Sequence, residues 1–274
     1  MGRLIGYMAN RADRLADALF QEQALAEAPG GAPISAPTGW GIGFYQSGEV
    51  LHKKRPRREN EEPNWDQITS SIRSDCVLLH VRQPTVGDFR SENTHPFRMR
   101  SWLFAHHGTI ERFDSVREPL LNSLPDFLRR NVRGSTDSEV YFHVLLSFLH
   151  DAGQLDHADL DVRHGVAAIR STISLIDRLV AEEGGGSSSL NMVLTNGRRL
   201  FALRRGSKMA FVERDGLFAM RDGISSPPRE NPASRLSYVM VQSNGAETSR
   251  DWRALDDGDV VTIDRDLWVA VHAA

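Results

Sequence analysis

Met1-Gly2-Arg3-Leu4-Ile5-Gly6-Tyr7 opens the chain. Arg3 to Met8 alternates weakly, which predicts a short strand, and the residue just ahead of it is a glycine that offers backbone but no side chain. Gly2 could in principle accept a myristoyl group, but that signal asks for Ser or Thr at position 6, where this chain has Gly6. Outward from the opening come Gly39-Trp40-Gly41-Ile42-Gly43-Phe44-Tyr45 and Val77-Leu78-Leu79-His80-Val81-Arg82-Gln83-Pro84-Thr85-Val86-Gly87. Asn93-Thr94-His95-Pro96-Phe97, Phe104-Ala105-His106-His107-Gly108-Thr109-Ile110 and Thr136-Asp137-Ser138-Glu139 follow.

In this order and with these gaps the segments resemble the class II glutamine amidotransferases, which are N-terminal-nucleophile hydrolases. The likeness is to the stand-alone branch that includes the ergothioneine-pathway γ-glutamyl amidohydrolase, whose members typically open Met-Cys-Arg-Leu-Leu-Gly-Tyr. Val193 to Gly197 and Trp252 to Leu255 add a weaker likeness in the C-terminal half. Together the segments are far more specific than a lone short motif. The resemblance implies a single domain over residues 1–274 with an α+β fold, the four-layer αββα sandwich of two packed antiparallel sheets. It also implies hydrolysis of glutamine or a γ-glutamyl amide by a thiolate at the chain start, with an oxyanion hole and a clamp for the amino-acid end of the substrate.

Carried over residue by residue, that machinery is broken in two places. Gly2 stands where the resemblance expects the nucleophilic Cys, and no atom there can form an acyl intermediate. Removing a nucleophile costs on the order of 10⁶ in turnover where this has been measured. His107 stands where the family has an Asn whose amide serves the oxyanion hole, although Gly108 still offers its backbone amide. Losing one such donor costs about 10²–10³ in rate. The clamp is retained by the same comparison: Arg82 matches the partner of the substrate carboxylate, Asp137 the acceptor of its ammonium group, and Thr85 and His95 neighbouring pocket positions. On its own Asp137 reads equally as an acidic residue opening a helix.

The expected function is therefore a catalytically silenced relative, acting as a non-catalytic subunit, scaffold or sensor that binds glutamine, glutamate or a γ-glutamyl amide. Its protein partner would be a synthase or hydrolase subunit, and no cofactor is required. One alternative is an active amidohydrolase of altered mechanism built on His107 or a metal-bound water; another is an interaction module with a vestigial pocket. Cys76, the single cysteine, lies in an apolar run and reads as a small buried hydrophobe, not as a replacement nucleophile. His80, His95, His106 and His107 lack a zinc-binding spacing and read as core or pocket histidines.

A net charge of −3 gives no nucleic-acid footprint, and the run Lys53-Lys54-Arg55-Pro56-Arg57-Arg58, followed by Glu59, Glu61 and Glu62, reads as a solvated loop. Apolar runs are too short for a membrane span and the opening lacks a signal-peptide core, which makes cytoplasmic residence the expectation.

Local patterns predict a helix over Asp13–Ala28, a loop over Pro29–Pro37, a hairpin of Trp40–Gln46 and Val50–Lys53 turning at Ser47-Gly48, and a loop over Lys53–Pro63. Buried strands are expected at Cys76–Val81 and Trp102–His106. Thr136-x-x-Glu139 has the form of a capping box ahead of a helix from Asp137 to Leu149. Val162, Val166, Ile169, Ile173, Ile176 and Val180 mark one apolar helical face, ended by the Gly184 to Ser189 run. Asn196-Gly197 predicts a type I′ hairpin, Val260–Ile263 and Leu267–Val271 another, and Gly223–Ala233 a loop.

Overall fold

Two antiparallel sheets stack face to face in the computed structural model, which describes residues 2–25, 39–56, 63–81, 90–216, 235–244 and 251–273. The expected loops at 29–37 and 223–233, together with Arg82 and Thr85, lie outside the described residues. The first sheet contains β1 (Arg3–Ala9), β2 (Gly39–Gln46), β3 (Glu49–Pro56), β4 (Cys76–Val81), β9 (Met209–Asp215), β10 (Ser237–Ser243) and β11 (Arg253–Ala254). Its order is β11-β9-β10-β1-β4-β2-β3. The second contains β5 (Phe97–Met99), β6 (Trp102–Thr109), β7 (Ser189–Thr195), β8 (Arg199–Leu203), β12 (Val260–Asp264) and β13 (Val269–His272), ordered β13-β12-β8-β7-β6-β5.

The alternation of side chains along these strands builds three separate cores, and three cores require four layers. Between the sheets lie Leu4 and Met8 of β1, Cys76 and Leu78 of β4, and Leu103, Ala105, Val193 and Leu200 from the facing sheet. On the outer face of the first sheet, Ile5, Tyr7, Ile42, Phe44, Val77 and Leu79 pack with α1 (Leu15–Gln21) and α2 (Trp65–Ser70). On the outer face of the second, Phe104, Met192, Leu194 and Phe201 meet α3 (Phe113–Asn122), α5 (Asp137–Asp151) and α6 (Val162–Glu182); α4 (Asp126–Arg129) completes that layer. The expected αββα sandwich is the observed fold.

The glycines of Gly39-Trp40-Gly41-Ile42-Gly43 gain a physical reason here. Trp40 and Ile42 face the outer core, while Gly41 and Gly43 face inward. A Cβ on Gly41 would stand 1.9 Å from the carbonyl oxygen of His95, and one on Gly43 2.8 Å from both Leu103 and Pro96. The segment carrying His95 can therefore lie directly against β2.

Several local expectations shift. The first helix ends at Gln21, not near Ala28, because the next residue is pulled into the core: Glu22 receives Arg214 Nε at 2.7 Å, the Tyr238 hydroxyl at 2.6 Å and the Trp252 indole N–H at 3.0 Å. A buried carboxylate needs such partners, and Gln23 with φ 48° turns the chain to supply them. β3 runs on to Pro56, so the first part of the Lys53–Pro63 stretch is strand, and α2 begins soon after it, capped by the Asn64 side chain on Gln67 N. Only half of the capping box forms: Thr136 Oγ1 accepts from Glu139 N at 3.3 Å, but the Glu139 carboxylate takes the amides of Arg133 and Gly134 at 3.0 and 2.6 Å. At the β7–β8 hairpin Asn196 pairs with Arg199, which leaves Gly197 and Arg198 as the two turn residues; Gly197, with φ 83°, occupies the first position, as in a type II′ turn.

Candidate active site

One end of the sandwich collects the ends of β1, β4, β6 and β10. Arg3 pairs with Val81, and the amide of Leu4 donates to Ser243 Oγ at 3.1 Å, so the start of β1 runs beside the last residues of β4 and β10. Gly2 is buried directly ahead of it. One residue beyond Ser243, Asn244 adopts φ 51° and sends its amide nitrogen across to Nε2 of His107 at 3.0 Å. Positions 2 and 107 are thus brought to the same end of the fold. His80 on β4 lies between the sheets at this end, its ring 4.3 Å from that of His95 and 6.4 Å from that of His107, centroid to centroid. His95 in turn meets the Phe97 ring edge-on at 4.8 Å.

β6 is tied to the head of α5 by a buried polar chain. Nε2 of His106 lies 3.0 Å from the Ser189 carbonyl and Nδ1 lies 2.9 Å from Ser138 Oγ. A carbonyl only accepts, so Nε2 carries the proton and the Ser138 hydroxyl donates to Nδ1. Asp137 Oδ2 accepts the Ile110 amide at 2.9 Å and Oδ1 accepts the Ser138 amide at 2.8 Å. Asp137 is therefore fixed in the first turn of α5 with both oxygens accepting, and is only 3 % exposed. Its helix-opening role is visible in these bonds; its lone pairs leave room for further donors.

Gly108 follows His107 where β6 crowds β7. A Cβ there would come within 1.9 Å of the Ser189 oxygen and 2.9 Å of His106 Nε2. Cys76 is excluded from this site: it is fully buried between the sheets with its sulfur 3.3 Å from Thr195 Oγ1, and burial pushes its thiol up to about 12. The expectation of an inert cysteine is met by that environment. Asn244, Ser189 and Ser243 are site residues that the sequence did not single out; Asn244 sits 137 positions from its partner His107, beyond the reach of any local pattern.

The family profile described as glutamine amidotransferases class-II matches residues 1–270. The chain belongs to the class II glutamine amidotransferases. Among curated proteins it is similar to the probable glutamine amidotransferase DUG3 of Saccharomyces cerevisiae, with 28 % identity across 82 % of this chain and 69 % of that one. It is also similar to the γ-glutamyl-hercynylcysteine sulfoxide hydrolase of Mycobacterium tuberculosis, with 24 % identity across 65 % of this chain and 64 % of that one. Among solved structures, a glutamine aminotransferase class-II domain protein from Silicibacter pomeroyi shares the fold at a TM-score of 0.62 and 19 % identity, covering 99 % of this chain and 98 % of its own.

Electrostatically, the site holds His106 and His107 below the ordinary histidine range. Burial, reinforced by the neighbouring His106, pushes His107 down to about 4, and burial also holds His106 below the ordinary range. Since Asn244 Nδ2 can only donate, His107 Nε2 accepts and the ring proton sits on Nδ1. A histidine whose folded value lies below its unfolded one binds fewer protons when folded. Its contribution to stability is complete above about pH 6.5 and is lost as pH falls toward 4. Acidification from pH 7.5 to 4.5 is expected to cost on the order of 2 kcal/mol through His107 alone. Thermal melts across that range would show it as a fall in midpoint that is smaller in His107→Asn; an equal fall in both proteins would remove His107 as its source.

Among the described residues, no helix is long and apolar enough to cross a membrane.

Proposed function

We propose that this chain is a class II glutamine amidotransferase that binds glutamine or a γ-glutamyl amide without hydrolysing it, serving as a sensor or non-catalytic subunit of a partner synthase or hydrolase. The reading is carried by the absence of a usable thiol: position 2 is glycine, and the sole cysteine is sealed between the sheets with its thiol pushed up to about 12. The nucleophile in thiol-based amide hydrolysis is the thiolate.

His107 does not repair the loss. A general base works best with a pKa near the operating pH, and His107 lies at about 4 with its Nε2 lone pair already accepting from Asn244. Recognition, by contrast, keeps its parts. Asp137 is a fixed, buried acceptor for the substrate ammonium, while Arg82, Thr85 and His95 are assigned by family resemblance to the substrate carboxylate and the neighbouring pocket positions.

L-glutamine at millimolar concentration is expected to raise the unfolding midpoint by a few degrees, by linkage to a site present only in the folded state. D-glutamine and Arg82→Ala are expected to show no rise. A flat response of the natural protein to L-glutamine, L-glutamate and a γ-glutamyl amide would sink the sensor role.

A further inference from the structure

A second concave site is lined by Phe97, whose ring also meets His95 of the histidine cluster. It is a cleft of about 430 Å³ between β3, the short 3-10 turn Ser91–Asn93, β5 and α5. Phe97 lines it: its ring meets His95 at 4.8 Å and lies 5.4 Å from Lys54 Nζ. Into the cleft come Lys54, Arg98 and Arg133, and among the described residues no carboxylate lies within ion-pair distance of any of them. Glu139 also lines it, its two oxygens accepting the backbone amides of Arg133 and Gly134 while its charge still acts on Lys54. Glu92 is the other lining carboxylate, and the three cations outnumber the two acids by one.

Lys54 was expected to be solvated with the rest of its basic run, and it is not. Its Nζ reaches back 3.4 Å to the Ser91 carbonyl, and burial brings its ammonium down to about 8, so it keeps its charge at neutral pH.

The decisive observation is His143. It is 3 % exposed, its Nδ1 lies 2.9 Å from the Glu139 carbonyl of the preceding helical turn, and its Nε2 has no hydrogen-bond partner. Because the Glu139 oxygen can only accept, Nδ1 carries the proton, and burial keeps the ring neutral. Nε2 therefore presents a bare lone pair, and a buried acceptor left unmatched carries a desolvation cost that a ligand donor would relieve.

We propose that this cleft is a second ligand site that takes a small hydroxy- or amino-dicarboxylate, its carboxylates held by Lys54, Arg98 and Arg133 and its hydroxyl or amine donating to His143 Nε2. An inorganic anion without a hydroxyl, such as sulfate or chloride, would satisfy the cations and leave Nε2 unmatched. An uncharged alcohol would do the reverse. Its place beside Phe97, whose ring also meets His95, sets such a ligand next to the glutamine pocket of the proposed function without using that pocket's residues.

The probe pair is L-malate and succinate, which differ by the one hydroxyl, titrated by calorimetry into the full chain. L-malate is expected to bind in the millimolar range or tighter and succinate about tenfold or more weakly. Lys54→Met and Arg98→Ala are each expected to weaken L-malate about tenfold or more. Those variants should still respond to L-glutamine as the natural protein does, which separates failure of this site from failure of glutamine binding. No heat with L-malate at about 10 mM, equal affinity for L-malate and succinate, or unchanged affinity in both variants would each overturn the assignment.

Discussion

Gly108→Ala is expected to lower the thermal midpoint by about 10 °C, corresponding to a loss of about 3–4 kcal/mol in a protein of this size. The added methyl would occupy space 1.9 Å from the Ser189 oxygen and 2.5 Å from its carbonyl carbon, so backbone rather than a flexible side chain must move. Overpacking of a core side chain typically costs about 1–3 kcal/mol, and here there is a second charge on top of it. Ser189 O is the acceptor for His106 Nε2, and His106 holds Ser138 at the head of α5. Pushing β7 away breaks that chain and leaves buried polar atoms unmatched. Circular dichroism melts check it; a midpoint within about 2 °C of the natural protein would show that β7 yields freely and that the tight β6–β7 contact is incidental.

How much of this was legible in the sequence depends on the range of the interaction. Cys76–Val81 reads as a buried strand because every residue of β4 is apolar or enclosed, and both faces are indeed covered. The helix face of Val166, Ile169, Ile173, Ile176 and Val180 is likewise visible because its period belongs to a single element. The layer order came from family resemblance, since no periodicity tells which of two sheets a strand joins. What misled were residues whose partners lie far along the chain. Glu22 ends α1 early for the sake of Arg214, Tyr238 and Trp252. Lys54 leaves its basic run to line a cleft with Arg98 and His143.

The candidate site divides the same way. Gly2, His107, Gly108, His95 and Asp137 stand in short motifs of the sequence, and they gather at one end of the sandwich or along the β6–α5 connection. Arg82 and Thr85 lie outside the described residues. Asn244 stands in no such motif, although its side chain fixes the tautomer of His107. A lone Asn after an apolar strand carries no signal of its own; only the sheet order, which places β10 beside β1, reveals it.

The gain-of-function variant Gly2→Cys/His107→Asn carries the largest expected effect. With Met1 removed, Cys at position 2 would supply both thiolate and α-amine base, and Asn at position 107 would restore the side-chain amide at the oxyanion position. A nucleophile is worth on the order of 10⁶ in turnover and an oxyanion donor about 10²–10³, so even imperfect geometry leaves room for a rise of about 10³ or more. Gly2→Cys alone is expected to fall about 10²-fold short of the double variant. The β1–β4 register that puts Arg3 beside Val81 and the Leu4 amide on Ser243 supplies the frame in which such a nucleophile would be held.

Ammonia release from L-glutamine, measured side by side on the natural protein and on Gly2→Cys/His107→Asn, tests the central claim most directly. A silenced enzyme with an intact pocket predicts a natural protein indistinguishable from buffer and a double variant that turns over. Ammonia release by the natural protein would contradict it.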